Sequence, residues 1–128
     1  MGLFDRFRSK STADSDVGVP SFRLEDESDG RAWLTLDLGD LLTDCVVQDA
    51  GEEPNGAFWE GVASYVAPTL ASRMDFDSEG SMFAVEGART DLEQLRELLI
   101  PLVQEPWAMT TLLRRVQAEG VTLEGYEG

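Results

Sequence analysis

Apolar and polar residues alternate most clearly over positions 32 to 38, where Leu34, Leu36 and Leu38 are interleaved with Trp33, Thr35 and Asp37. A period of two predicts a half-buried strand. Phe22-Arg-Leu-Glu precedes it, and the polar link from Asp26 to Arg31 contains the turn dipeptide Asp29-Gly30. The two segments therefore read as an antiparallel hairpin. Leu41 to Val47 is ambiguous between a strand and a helical turn, and Cys45-Val46-Val47 favours the strand. Ser81 to Glu86 reads as another strand, closed by Gly87.

The period changes after Asn55-Gly56. Trp59, Val62, Ala63 and Val66 fall at helical spacing, so Pro54 to Ala63 reads as a loop feeding a helix, with Asn55 suited to the N-cap. Phe58 and Trp59 are expected to fix that helix start in the core, leaving Asn55 and Glu60 outward. Pro68 should end or kink the helix, with a further turn reaching Met74. Thr90-Asp-Leu-Glu93 has the form of a capping box, followed by the apolar stripe Leu92, Leu95, Leu98, Leu99, Leu102 and Val103. Pro101 strains that helix near its end. Pro106 suits the first turn of another helix with Met109, Leu112, Leu113 and Val116 inward and Gly120 as its stop. The tail after Val121 is expected to form one short strand around Val121 and Leu123, or none. The resulting class is α+β, a single domain with an antiparallel sheet of about four strands packed against about three helices. In residues 1–20, Leu3, Phe4 and Phe7 alternate with Arg6, Arg8 and Lys10 before a stretch without apolar periodicity. A frayed, flexible segment ahead of a domain spanning 21–128 is the expectation, with a short basic amphipathic turn that touches a membrane or partner groove as the alternative.

Composition narrows the function. The 128 residues include 25 acidic and 10 basic side chains, giving a net charge of −15 with no histidine. Such a charge opposes nucleic acid and anionic membranes and favours a basic partner, cations, or simply solubility. The absence of histidine removes Ser-His and Cys-His nucleophilic arrangements, and a single thiol, Cys45, leaves neither a disulfide nor a zinc set. Cys45 reads as a small buried hydrophobe, and Trp33 and Trp107 as core residues. The N-terminus lacks the apolar core of a signal peptide, and Arg6 breaks a myristoylation pattern, so the cytoplasm is the expected compartment. No enzyme, cofactor or metal is expected.

One acidic stretch has near-motif form. Asp75-Phe-Asp77-Ser-Glu79-Gly80, with Glu86 at position twelve, approaches a calcium loop, which places carboxylates at one, three, five and twelve and glycine at six. Glu79 replaces the usual Asp or Asn, and Phe83 occupies position nine. An acidic turn between a helix and a strand is the simpler expectation.

Asn55-Gly-Ala-Phe-Trp-Glu-Gly-Val-Ala63, then Met74-Asp-Phe-Asp-Ser-Glu-Gly-Ser-Met-Phe83, then the helix opening Thr90-Asp-Leu-Glu resembles the immunity protein 51 family over roughly residues 22 to 118. The residues carrying this likeness are Asn55, Gly56, Phe58, Trp59, Glu60, Asp77, Glu79 and Phe83. The resemblance implies a small α+β protein of bacterial polymorphic toxin systems that binds and neutralises a cognate toxin domain. A nuclease toxin with a basic cleft is one such target. The toxin-facing residues it suggests are Glu52, Glu53, Asn55, Glu60, Asp75, Asp77 and Glu79. The alternative is a small-ligand or cation-binding module using the 52–60 loop and the 75–79 turn.

Overall fold

The computed structural model describes residues 22–126 and, ahead of them, only the extended pairs Arg6–Phe7 and Ser9–Lys10; the expectation of a flexible segment over 1–20 falls largely outside these. Strands β1 (Phe22–Asp26) and β2 (Arg31–Asp37) form the expected hairpin, with Leu24 opposite Leu34. Asp29 and Gly30 both take positive φ in the turn, where Asn, Asp and Gly meet the least steric cost. After helices α1 (Asp44–Asp49), α2 (Gly56–Val66) and α3 (Pro68–Ala71), the chain returns through β3 (Asp75–Phe76) and β4 (Met82–Ala88). Helices α4 (Arg89–Gln104) and α5 (Pro106–Ala118) complete the domain. The sheet is antiparallel, in the order β1-β2-β4-β3.

Alternation places Ala32, Leu34 and Leu36 of β2 on the same face as their β4 partners Gly87, Val85 and Phe83. All but Gly87 belong to the apolar core, and the helices cover this face. Leu92, Leu95, Leu99 and Val103 of α4 join Met109, Leu112 and Val116 of α5 in the same cluster. The opposite face carries Arg31, Trp33, Thr35 and Glu86 at half-buried positions.

Several expectations change. Leu41 to Val47 contributes a helix rather than a strand. The Asp44 carboxylate accepts the Leu41 N–H at 3.2 Å, closing the chain into a turn at the helix start, and only Val47 of the six helical residues is buried. Gly51, at φ +84°, ends α1 in a Schellman arrangement, with its own N–H on the Gln48 carbonyl and the Glu52 N–H on that of Val47. The fourth strand is instead Asp75–Phe76. Cys45 is exposed because it lies on the outer side of α1. Trp107, in the first turn of α5, is 68% exposed, and Leu98 is 47% exposed. Helix α4 begins one residue before the supposed capping box, so Thr90 lies inside it; Arg89 instead pairs with Glu93 and with Asp26. Gly87 continues β4 rather than closing it.

The tail forms no strand among the described residues, yet it is anchored. Leu123 is fully buried, and its carbonyl lies so close to Gly61 of α2 that an added Cβ would overlap it. Gly61→Ala is expected to lower stability by about 1–3 kcal/mol, the usual range for overpacking a filled site. Chemical denaturation with limited proteolysis of the tail checks this; an unchanged midpoint and an uncleaved tail would contradict the packing.

Candidate functional site

Two of the acidic segments singled out by the sequence meet at one corner. Asn55 caps α2, its Oδ1 accepting the Phe58 N–H at 2.9 Å, a bond that satisfies one of the donors left over at a helix start. Helix α2 then drives Phe58 and Trp59 fully into the core, their rings edge to face at 5.8 Å. Burying a side chain such as Phe58 contributes roughly 1.5–3 kcal/mol. The motif aromatics therefore anchor the corner from inside. Trp59 Nε1 has no hydrogen-bond partner among the described residues.

The β3–β4 hairpin supplies the other half. Glu79 and Met82 exchange main-chain hydrogen bonds of 2.8 and 3.3 Å around its tip. Ser78 Oγ accepts the Ala84 N–H at 2.9 Å, substituting a side-chain oxygen for a main-chain one in the ladder. The tip is tied to α2 twice: Glu60 Oε2 accepts the Ser78 N–H at 3.0 Å, and the Gly56 N–H donates to the Gly80 carbonyl at 3.3 Å. Gly56 is also sterically required, since a Cβ there would overlap the Glu79 carbonyl and approach Ser78 Cβ to 2.8 Å.

Glu53, Asn55, Gly56, Glu60 and Glu79 are thus brought to one corner. Asn55 Nδ2 also reaches Glu53 Oε1 at 3.4 Å. Glu53, Asp77 and Glu79 are exposed, while Glu52, Asn55 and Glu60 are half-buried. Asn55 and Glu60, expected to be recognition groups, spend hydrogen bonds on the scaffold. Asp75 lies apart, at the start of β3. The 75–86 stretch is a hairpin rather than a calcium loop: Asp75 faces Glu86 across the strands, and the Arg31 guanidinium approaches their carboxylates at 3.5 and 3.6 Å. No group of three or more His, Cys, Asp or Glu residues arranged to hold a metal occurs among the described residues.

Two concavities flank these elements. One, of about 340 Å³, opens beside Glu60 and Ser64, with Phe76 and Tyr126 in its wall. The other, of about 360 Å³, lies between α1 and α5 at Val46, Asp49, Leu113 and Arg114. Trp59 lines neither. The sequence offered no signal for the first, because Phe76 and Tyr126 are 50 residues apart in the chain.

Two carboxylates, Glu27 and Glu86, meet at the outer sheet face. Glu27 beside Glu86 raises the Glu86 carboxyl above its ordinary value, burial adds to this, and Arg31 opposes it. A raised carboxyl favours the fold at low pH and loses that contribution as pH rises through its folded pKa. Asp91 behaves oppositely: Arg73, bound through two hydrogen bonds of 3.0 and 3.1 Å, holds it below 3.8. Its contribution is present above that value and lost as pH falls through the folded pKa. Glu27→Gln is expected to raise Tm at neutral pH, with the gain vanishing on acidification through the folded pKa of Glu86. Thermal melts of both proteins across pH check this; a gain independent of pH would contradict the coupling.

No family model, curated protein or solved structure matches the chain.

Proposed function

We propose that this protein is a non-enzymatic, cytoplasmic immunity protein that binds and neutralises a cognate bacterial toxin domain through the acidic corner at Glu52, Glu53, Asp77 and Glu79. The observation that carries this reading is the double tie between α2 and the hairpin tip, which holds the exposed Asp77 and Glu79 on a fixed backbone frame beside the exposed Glu53 and half-buried Glu52. A preorganised frame reduces the ordering cost of association. The net charge of −15 adds long-range attraction toward a basic surface, such as the substrate cleft of a nuclease. Asn55, Gly56, Phe58, Trp59, Glu60 and Phe83 build this frame by capping, close approach, burial and hydrogen bonding, and the exposed acids around it meet the partner.

The test is growth of cells that express, one at a time, the domains encoded by the genes adjoining this one, each first scored for toxicity, with and without this protein. Protection is expected, and it is expected to be lost in the triple variant Glu52→Lys, Glu53→Lys, Glu79→Lys. Glu60 is left unchanged so that the hairpin tie survives. The association rate should fall by about tenfold or more from low to high salt. Death despite good expression, with the neighbour confirmed toxic, would overturn the pairing; full protection by the triple variant would overturn the acidic corner as the interface.

A further inference from the structure

The cavity beside Glu60 has a chemistry of its own. It is the corner formed where α2 turns into α3 at Pro68, closed by Phe76 of β3 on one side and by the C-terminal tail on another. Glu60 and Ser64 are four residues apart and so share one face of α2. Ser64 is 8% exposed, so its hydroxyl belongs to the cavity wall rather than to the open surface.

Each wall is held in place by contacts outside the cavity. Phe76 leans on the buried Phe83 with ring centroids 6.1 Å apart. The Tyr126 N–H donates to the Leu123 carbonyl at 2.9 Å, and its ring meets Tyr65 edge-on at 5.8 Å. Tyr65 is fixed in turn, donating its hydroxyl to Glu119 Oε1 at 2.6 Å with the Arg115 guanidinium 5.7 Å from its ring centroid. Glu60 is oriented by the Ser78 N–H on Oε2, while Oε1 makes no hydrogen bond among the described residues.

The cavity is therefore lined by the Glu60 carboxylate side chain, Ser64, two aromatic residues and the aliphatic Pro68 and Ala71. A carboxylate with aromatic walls suits a planar cation on an aliphatic stem. A guanidinium stacks on rings and forks onto carboxylates, which an ammonium does less well. At about 340 Å³ the volume lies at the small end of ligand sites, which run from roughly 300 to 1,000 Å³, and suits one side chain better than a cofactor.

We propose that this cavity is an anchor pocket for an arginine side chain of the basic partner. The assignment extends the reading above and shares its premise that a positively charged protein meets this part of the surface. The stem packs against Pro68 and Ala71, and the head meets Glu60 Oε1. Arginine, with tryptophan and tyrosine, is enriched among the pocket-seated residues on which interface affinity concentrates.

The test is an NMR titration of the whole isotope-labelled chain with N-acetyl-arginine methylamide, with N-acetyl-norleucine methylamide as an uncharged counterpart. Saturable shifts are expected at the amides of Ser64, Ser72, Phe76 and Tyr126 with the arginine probe, and none with norleucine. Glu60→Gln keeps an acceptor for the Ser78 N–H but removes the charge, and should weaken binding by about tenfold, some 1.4 kcal/mol. Ser72→Trp, at the exposed rim, should block the cavity without touching the core. Absence of saturable shifts, equal response to norleucine, or unchanged binding in both variants would overturn the pocket. Cell protection intact without arginine uptake overturns the pocket alone; arginine uptake without protection overturns the immunity reading and leaves the pocket standing.

Discussion

The first turn of α2 meets the tip of the β3–β4 hairpin backbone to backbone, and much of the molecule's surface chemistry depends on that approach. Only glycine fits at position 56, because any Cβ would overlap the Glu79 carbonyl. The same approach lets the Gly56 N–H reach the Gly80 carbonyl, and it brings Glu60 to the Ser78 N–H. One steric condition thus joins a helix that carries the core aromatics to a hairpin whose outer edge carries exposed acids. The hairpin is further tied to the sheet, since the Leu38 N–H donates to the Ser81 carbonyl at 2.9 Å. Burial on the inside and fixed charge on the outside are consequences of one contact.

The charge balance gives this arrangement a cost and a use. With 25 acids and 10 bases, self-repulsion opposes compaction. Arginines offset part of it where strands converge. Arg31 approaches Asp75 and Glu86, Arg89 joins β1 to the start of α4 through Asp26, and Arg73 clamps Asp91. The pairs involving Arg31 and Arg89 are largely exposed, and such pairs contribute little stability each. Their arrangement matters more for where negative charge remains: the acids at 52, 53, 77 and 79 have no arginine partner among the described residues. A basic partner would meet uncompensated charge there.

How far the sequence discloses this follows from which interactions are local. The hairpin of β1 and β2 is legible because period-two alternation and a positive-φ turn at Asp29-Gly30 agree. Helices α4 and α5 are legible from their apolar stripes, and Asn55 is legible as a cap. Helix α1 is misread because β-branched Val46 and Val47 suggest a strand, whereas the decisive contact is the Asp44 side chain folding back on Leu41. Asp75–Phe76 is too short to show periodicity and is a strand only because Phe76 pairs with Val85. Trp107 misleads by composition: its size suggests burial, but its place before Met109 and Leu112 turns it outward. At the candidate site, the acids are legible while their roles are not. Glu60 is tied to the scaffold through Ser78, 18 residues away, and the cavity depends on a tail residue, Tyr126, that no motif marks.

The tie between α2 and the hairpin tip fixes the corner, and amide hydrogen exchange reads it directly. The Ser78 and Gly56 amides, though next to exposed loops, are expected to exchange slowly, with protection approaching that of the core amides of β4. Exchange at both as fast as in an open turn would show that the corner is not fixed, and the carboxylates around it would then have no common frame on which to meet a partner.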